Sequence, residues 1–281
     1  MNQLKRCSPV LIAVLVAIGC GGKPQDASAK TETAADLPAP RQSTPESARQ
    51  AGAPGALAQA PEGAPAAGGG SASVQGSVRF EGEAPKPEQV QMAADPVCQQ
   101  QHPEPVFSEA VAVNENGTLK NVFVYVKEGA QGPFQAPTTP VTLDQSGCWY
   151  KPHVFGIQVN QPLEIVNSDP TLHNVNSKPT KNQPFNVAQP VKGMKTTKKF
   201  TKPEAAVSFK CNVHPWMQAY GHVLEHPFFG VTGPDGAFTI KGLPAGTYTV
   251  EAWHEKYGTK TQTVTVADGE TKSVDFTFKA K

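Results

Sequence analysis

From Val74 to the carboxy terminus the chain is a succession of short runs, each with alternating apolar residues and each closed by turn residues. That rhythm has the period of strands and leaves little room for anything else. The runs are Val74 to Glu81, Ala110 to Val113, Asn121 to Lys127, Phe155 to Asn167, Ala205 to Cys211, Ala237 to Lys241, Thr247 to Trp253, Thr261 to Ala267 and Ser273 to Lys279. Asn116-Gly117, Pro234-Asp235-Gly236 and Asp268-Gly269 are turns of the kind that join antiparallel neighbours. No convincing amphipathic helix stands out. The expected fold class is all-β, built as antiparallel sandwiches.

The first part of the chain has a different composition. Lys5 and Arg6 precede an apolar stretch of nine residues, Val10 to Ile18, which is too short for a stable membrane span and reads as a secretory leader. It ends in Ala17-Ile18-Gly19-Cys20, which resembles the bacterial lipobox, although Ala17 stands where Leu is usual. By that resemblance Cys20 is lipidated and anchors the protein to a membrane. Gly21 rather than Asp after the cysteine favours the outer membrane of a bacterial envelope, on its periplasmic side or surface. Residues 21–73 are Ala, Pro, Gly, Ser and Gln with scattered charges, too poor in large apolar groups to offset the entropy of ordering. They are expected to be a disordered tether whose 53 residues span about 40 Å end to end.

Charge excludes other classes. With 25 Lys+Arg against 24 Asp+Glu, the net charge of +1 gives no electrostatic case for nucleic acid. There is no phosphate-binding glycine loop, no G-x-S-x-G elbow and no H-E-x-x-H, so an enzyme is not expected.

The most informative stretch is Phe209-Lys210-Cys211-Asn212-Val213-His214-Pro215-Trp216-Met217. It carries thiolate, imidazole and thioether at C-x2-H-x2-M spacing directly after a strand, so one tight loop presents three soft or borderline donors to one point. A second segment, Asn167-Ser168-Asp169-Pro170-Thr171-Leu172-His173-Asn174-Val175, offers another histidine where a strand ends in a turn. Two histidines, a cysteine and a weak axial methionine are the copper electron-transfer arrangement.

The two segments together resemble the small blue copper proteins, the cupredoxins, over roughly Cys148 to Leu224, with the amicyanin type of ligand loop. The resemblance implies a Greek-key sandwich with one type 1 copper held by His173, Cys211, His214 and Met217. It also implies that Asn174 steadies the thiolate loop. All four positions at the metal would be filled, which argues against oxygen or nitrite chemistry there. In this family the edge of the second histidine emerges through an apolar patch where the redox partner docks, so Pro215 and Trp216 are candidates for that patch. Trp216 reads equally well as a core aromatic behind the loop. Seven lysines and no acid lie between Lys178 and Lys202, among them Lys195, Lys198 and Lys199. They would steer an acidic partner, or else simply protect an edge strand. The expected partners are a redox donor and acceptor, such as a c-type cytochrome or a periplasmic oxidoreductase.

Cys7 leaves with the leader, Cys20 carries lipid and Cys211 binds copper on these readings, so Cys98 and Cys148 remain as a natural disulfide pair in an oxidising compartment. The pair would bring His102 near His153, and the four groups form an alternative second metal site, although their spacing matches no standard zinc motif. His222, His226 and His254 read as surface or packing histidines.

Gly233 to Trp253 resembles the later strands of carboxypeptidase regulatory-like, transthyretin-type β-sandwiches, and Gln75 to Pro85 with Lys120 to Val126 resembles that family's opening strands. The expected organisation is therefore a leader over 1–19, a tether over 20–73, a cupredoxin-like domain over 74–226 and a regulatory-like module over 227–281. Residues 74–126 are either part of the copper sandwich or the first half of a module into which it is inserted. The expected function is single-electron transfer outside the cytoplasm. Copper delivery and a metal-free binding module are the alternatives.

Overall fold

The computed structural model of the protein describes residues 69–280, and almost all of its regular structure is strand. The leader, Cys20 and the tether as far as residue 68 lie outside the described residues.

Four sheets make two sandwiches. In one, Ala72–Glu81 lies between Ala237–Leu243, antiparallel, and Thr271–Ser273, parallel, with Phe276–Lys279 pairing parallel along its second half. The facing sheet runs Phe229–Val231, Phe123–Glu128, Gly246–His254, Gly258–Val266, all antiparallel. Residues 72–81 and 123–128 thus pair with the carboxy-terminal strands and not with those of the other sandwich. This sandwich is therefore discontinuous in sequence. Val74, Val78, Val124, Val126, Ile240, Val250 and Phe276 are among the side chains that fill its core.

The inserted sandwich begins at Val141. One sheet runs Tyr150–Lys151, Val141–Gln145, Leu163–Asn167, Lys195–Lys198. The other runs Val154–Gln158, Gln218–Leu224, Glu204–Lys210, His173–Lys178, Phe185–Gln189. Leu143, Ile157, Leu163, Ile165, Val175 and Phe209 close its core, and Cys211 and Met217 belong to the same apolar cluster. The loop that carries them therefore folds onto the core and not out from it.

The join between the sandwiches explains an oddity of pattern. In Phe123–Glu128 four successive residues, Phe-Val-Tyr-Val, are all buried, although alternation exposes every second residue of an ordinary surface strand. Val124 and Val126 face their own core, while Phe123 and Tyr125 pack with Val154 and Leu224 of the inserted sandwich. Gly156 sits at the same join, where a Cβ would fall 2.4 Å from the Phe229 ring.

The structure differs from the strand pattern in several places, and strands such as Val141–Gln145, His173–Lys178 and Gln218–Leu224 lie outside the runs read from sequence. Ala110 to Val113 is a turn in which only Val113 forms a bridge, to Leu119. The run Phe155 to Asn167 breaks into two strands at Asn160, which takes φ +68°. A six-residue helix, Pro96–Gln101, forms because Asp95 accepts from the Val97 and Cys98 N–H groups and Pro96 opens the first turn.

Candidate metal centre

Local chemistry sets both ligand segments. Asn167 ends its strand and organises the turn that follows: its amide donates to Thr171 O at 2.9 Å and Gln189 O at 2.8 Å, and its Oδ1 accepts the Asp169 N–H at 2.9 Å. His173 then opens the next strand, facing inward. On the other segment, Cys211 N–H donates to Met217 O at 3.1 Å and Met217 N–H to His214 O at 2.9 Å, curling residues 211–217 into one tight loop. The His214 N–H points at Cys211 Sγ, 3.3 Å away.

Three donors converge. His173 Nδ1 and His214 Nδ1 lie 2.9 Å apart, Cys211 Sγ is 3.9 Å from His214 Nδ1, and all three atoms fall within 4.8 Å of one another. Met217, on the same loop, is fully buried. Asn174 Oδ1 accepts the Asn212 N–H at 2.7 Å and lies 3.4 Å from Cys211 Sγ, which ties the loop to the neighbouring strand. Tyr150, buried beside the same sulfur, donates its hydroxyl to Asn174 O.

Each imidazole is held from behind by a carboxylate. His173 Nε2 donates to Asp169 Oδ2 at 2.9 Å, and Asp169 in turn accepts the Gly147 and Cys148 N–H groups at 2.8 and 2.7 Å. His214 Nε2 donates to Asp95 Oδ2 at 2.9 Å. A carboxylate can only accept, so each Nε2 donates outward and each Nδ1 is turned to the centre, where its lone pair would face a bound metal. Burial pushes the Cys211 thiol up, but hydrogen bonds with His173 and His214 and main-chain N–H donation outweigh it and hold the thiol near 5. Burial likewise disfavours charge on Asp169, yet His173 and the two N–H groups bring it down to about 2. Both histidines are raised in spite of burial, His173 by Asp169 and Cys211, His214 by Cys211 and Asp95. A thiolate at neutral pH, two imidazole nitrogens turned to the same centre and a buried thioether on the same loop form a donor set that fits copper.

The other sequence candidates are placed as follows. Cys98 and Cys148 form a disulfide, so their sulfurs are not metal donors. His102 binds Gly147 O at 2.6 Å, while His153 binds Glu255 at 2.5 Å and Gln218 O at 3.0 Å; neither joins a donor cluster among the described residues. Lys195–Lys198 is the edge strand of its sheet; Lys195 pairs with Glu164 at 2.9 Å and Lys198 lies over the Phe185 ring, while Lys199 is exposed. Pro215 is exposed, and Trp216 is half-buried with its indole N–H on Cys148 O at 3.0 Å. The edge of His214 does not emerge: the residue is 1% exposed, because Asp95 and the disulfide cover it, with Cys98 Sγ 3.6 Å from Nε2. Sequence reading missed Asp95, Asp169 and Tyr150. Asp169 stood in the quoted turn four residues before His173, and Asp95-Pro96 is a helix-start signature, but nothing local ties Asp95 to His214.

Residues 227–279 match the carboxypeptidase regulatory-like domain family. No curated protein matches the chain. Among solved structures it is similar to a copper-containing nitrite reductase from Thermus scotoductus, at 27% identity and TM-score 0.29, over 35% of this chain and 25% of that one. The chain thus spans about a quarter of the reductase. It is also similar to a Cu(I) amicyanin variant, at 17% identity and TM-score 0.27, over 30% of this chain and 81% of that one. A purple cupredoxin from Nitrosopumilus maritimus matches at 19% identity and TM-score 0.26, over 29% of this chain and 97% of that one. The case for copper rests on this chain's own donors.

Proposed function

We propose that the protein is an extracytoplasmic type 1 copper protein that carries single electrons between redox partners, anchored to a bacterial envelope membrane through Cys20. The observation that carries this reading is the convergence of His173 Nδ1, Cys211 Sγ and His214 Nδ1 in a buried cluster, with Met217 on the same loop. Copper bound there would supply a one-electron couple. The chain supplies the rest. Asp169 and Asp95 hold the two rings, Asn174 holds the thiolate loop, and the surrounding core excludes water, so the donors have little freedom to reorganise between oxidation states.

The test is the visible absorption and paramagnetic resonance spectrum of the Cu(II)-loaded chain beside Cys211→Ser. An intense thiolate-to-copper band with narrow hyperfine splitting, absent from the variant, is expected. A weak spectrum indifferent to Cys211 would overturn the reading. Handing over the copper ion, the alternative, needs a ligand within reach of an acceptor; His173, Cys211, His214 and Met217 are all at most 4% exposed, which favours retention.

Among the described residues the exposed large apolar side chains are Phe107, Leu172, Val191, Met194 and Val213. Leu172 and Val213 each precede a ligand histidine, and Met194 O accepts the N–H of Asn167 at the start of the ligand turn. These residues support a docking face at the copper end, with the exposed Lys192 and Lys195 beside it. Leu172→Glu with Val213→Glu is expected to slow electron self-exchange roughly tenfold or more, since like charges would meet across the encounter, and to leave the absorption band in place. An unchanged self-exchange rate, read from NMR line widths of mixed oxidation states, would place the docking face elsewhere.

A further inference from the structure

Residues 88–108 form a closed loop outside the paired strands of both sandwiches. Val90 N–H donates to Val106 O at 2.9 Å, Ser108 N–H to Glu88 O at 2.8 Å, and Gln89 bridges Phe107, so the two ends of the loop are zipped together. What lies between is attached to the loops that build the metal centre. Asp95 reaches His214 on the ligand loop, and Thr171 in the turn before His173 donates to it at 3.1 Å. Cys98 is bonded to Cys148, whose N–H holds Asp169 and whose carbonyl holds Trp216. His102 binds Gly147 O, and Met92 is buried in the core below.

We propose that residues 88–107 are a lid over the metal centre, locked by the Cys98–Cys148 disulfide, and that reduction of this disulfide by a dithiol governs exchange of the bound metal. The inference rests on the copper reading above. In the unlocking step a dithiol gives two electrons and two protons to the disulfide. The S–S bond breaks, Cys98 and Cys148 become thiols, and the reductant closes its own disulfide. Geometry makes the disulfide the part that matters. Asp95 is the cap of the six-residue helix that carries Cys98, three residues on, so the covalent link holds Asp95 over His214. A helix of that length is far below the roughly 12 residues that stand alone, so without the link it is held only by the contacts of Asp95, His102 and Met92 and by the zipped ends of the loop. Cys98 and Cys148 are fully buried, so a reductant reaches them only through local opening, and the lock is slow.

Two measurements test this on the full chain. In the first, the Cu(I)-loaded protein meets an excess of the soluble chelator bathocuproine disulfonate without oxygen. Copper loss is expected to be roughly tenfold or more faster in Cys98→Ser/Cys148→Ser and in Asp95→Ala than in the wild type. Equal rates in proteins that keep the thiolate-to-copper band would overturn the lid. In the second, amide exchange of the metal-free wild type is followed before and after dithiothreitol. The protection of residues 88–107 relative to strand Glu204–Lys210 is expected to fall roughly tenfold or more on reduction. An unchanged ratio would mean that the disulfide stabilises the whole domain and locks nothing locally, and would overturn the proposal even if the serine variants fail to fold. A wild type that binds no copper would sink the copper reading alone, and the second measurement would still judge the lid.

Discussion

Replacing Cys98 and Cys148 together by serine is expected to lower the stability of the metal-free protein by about 4 kcal/mol. The disulfide joins residues 50 apart, and in the chain-entropy account closing a loop of that length removes about 14 cal/mol/K from the unfolded ensemble. Native packing offers no compensation, because both cysteines are fully buried in the core of the inserted sandwich, and serine hydroxyls there would have to find partners or stay unsatisfied. For a folded body of this size the thermal midpoint should drop by about 10 °C. Calorimetry of the two proteins side by side checks it. A drop of a degree or two would mean that the unfolded chain already keeps residues 98 and 148 close together.

The same cysteines mark the limit of what local sequence could tell. The cluster of candidate donors was legible because the loop carries its own spacing: Cys211, His214 and Met217 are three apart and curl into one turn, and Asn174 lies next to His173. The all-β class was legible for a similar reason, since strand period and turn residues are local. Strand Phe185–Gln189 escaped notice because only Phe185, Val187 and Ala188 are apolar and the strand is half-solvated. Strand Lys195–Lys198 has no apolar residue at all and owes its place to pairing with Leu163–Asn167. The covered histidine was out of reach for another reason. Its carboxylate lies 119 residues earlier, in a loop that the strand pattern treats as filler, and only the fold brings the two together. The resemblance to blue copper proteins implied an emerging histidine edge; the inserted loop supplies an acid and a disulfide where that edge would be.

His222→Leu is expected to stabilise the protein at pH 7 by about 1–3 kcal/mol and to flatten its loss of stability in acid. His222 is fully buried, its ring stacked on Phe123 at 4.0 Å with Trp253 edge-on at 4.7 Å, and neither ring nitrogen has a hydrogen-bond partner. Two unsatisfied polar atoms at the join of the sandwiches carry a desolvation cost that leucine, of similar volume, does not. The acid effect follows from the same burial, which pushes His222 down from 6.5 to about 3. The native ring stays neutral where the unfolded one takes up a proton. The stability it permits is therefore whole above pH 6.5 and is lost progressively as the pH falls from there toward 3, by about 3 kcal/mol at pH 4.5. His254, brought to about 4 by burial, acts in the same direction, while His173 and His214, both raised, act in the opposite one. The difference between wild type and His222→Leu cancels those shared contributions. Denaturant melts of both at pH 7 and pH 4.5 should show the gap between them widening by about 3 kcal/mol at the lower pH. A constant gap would mean that the folded protein lets His222 take up its proton, through opening of the join between the two sandwiches.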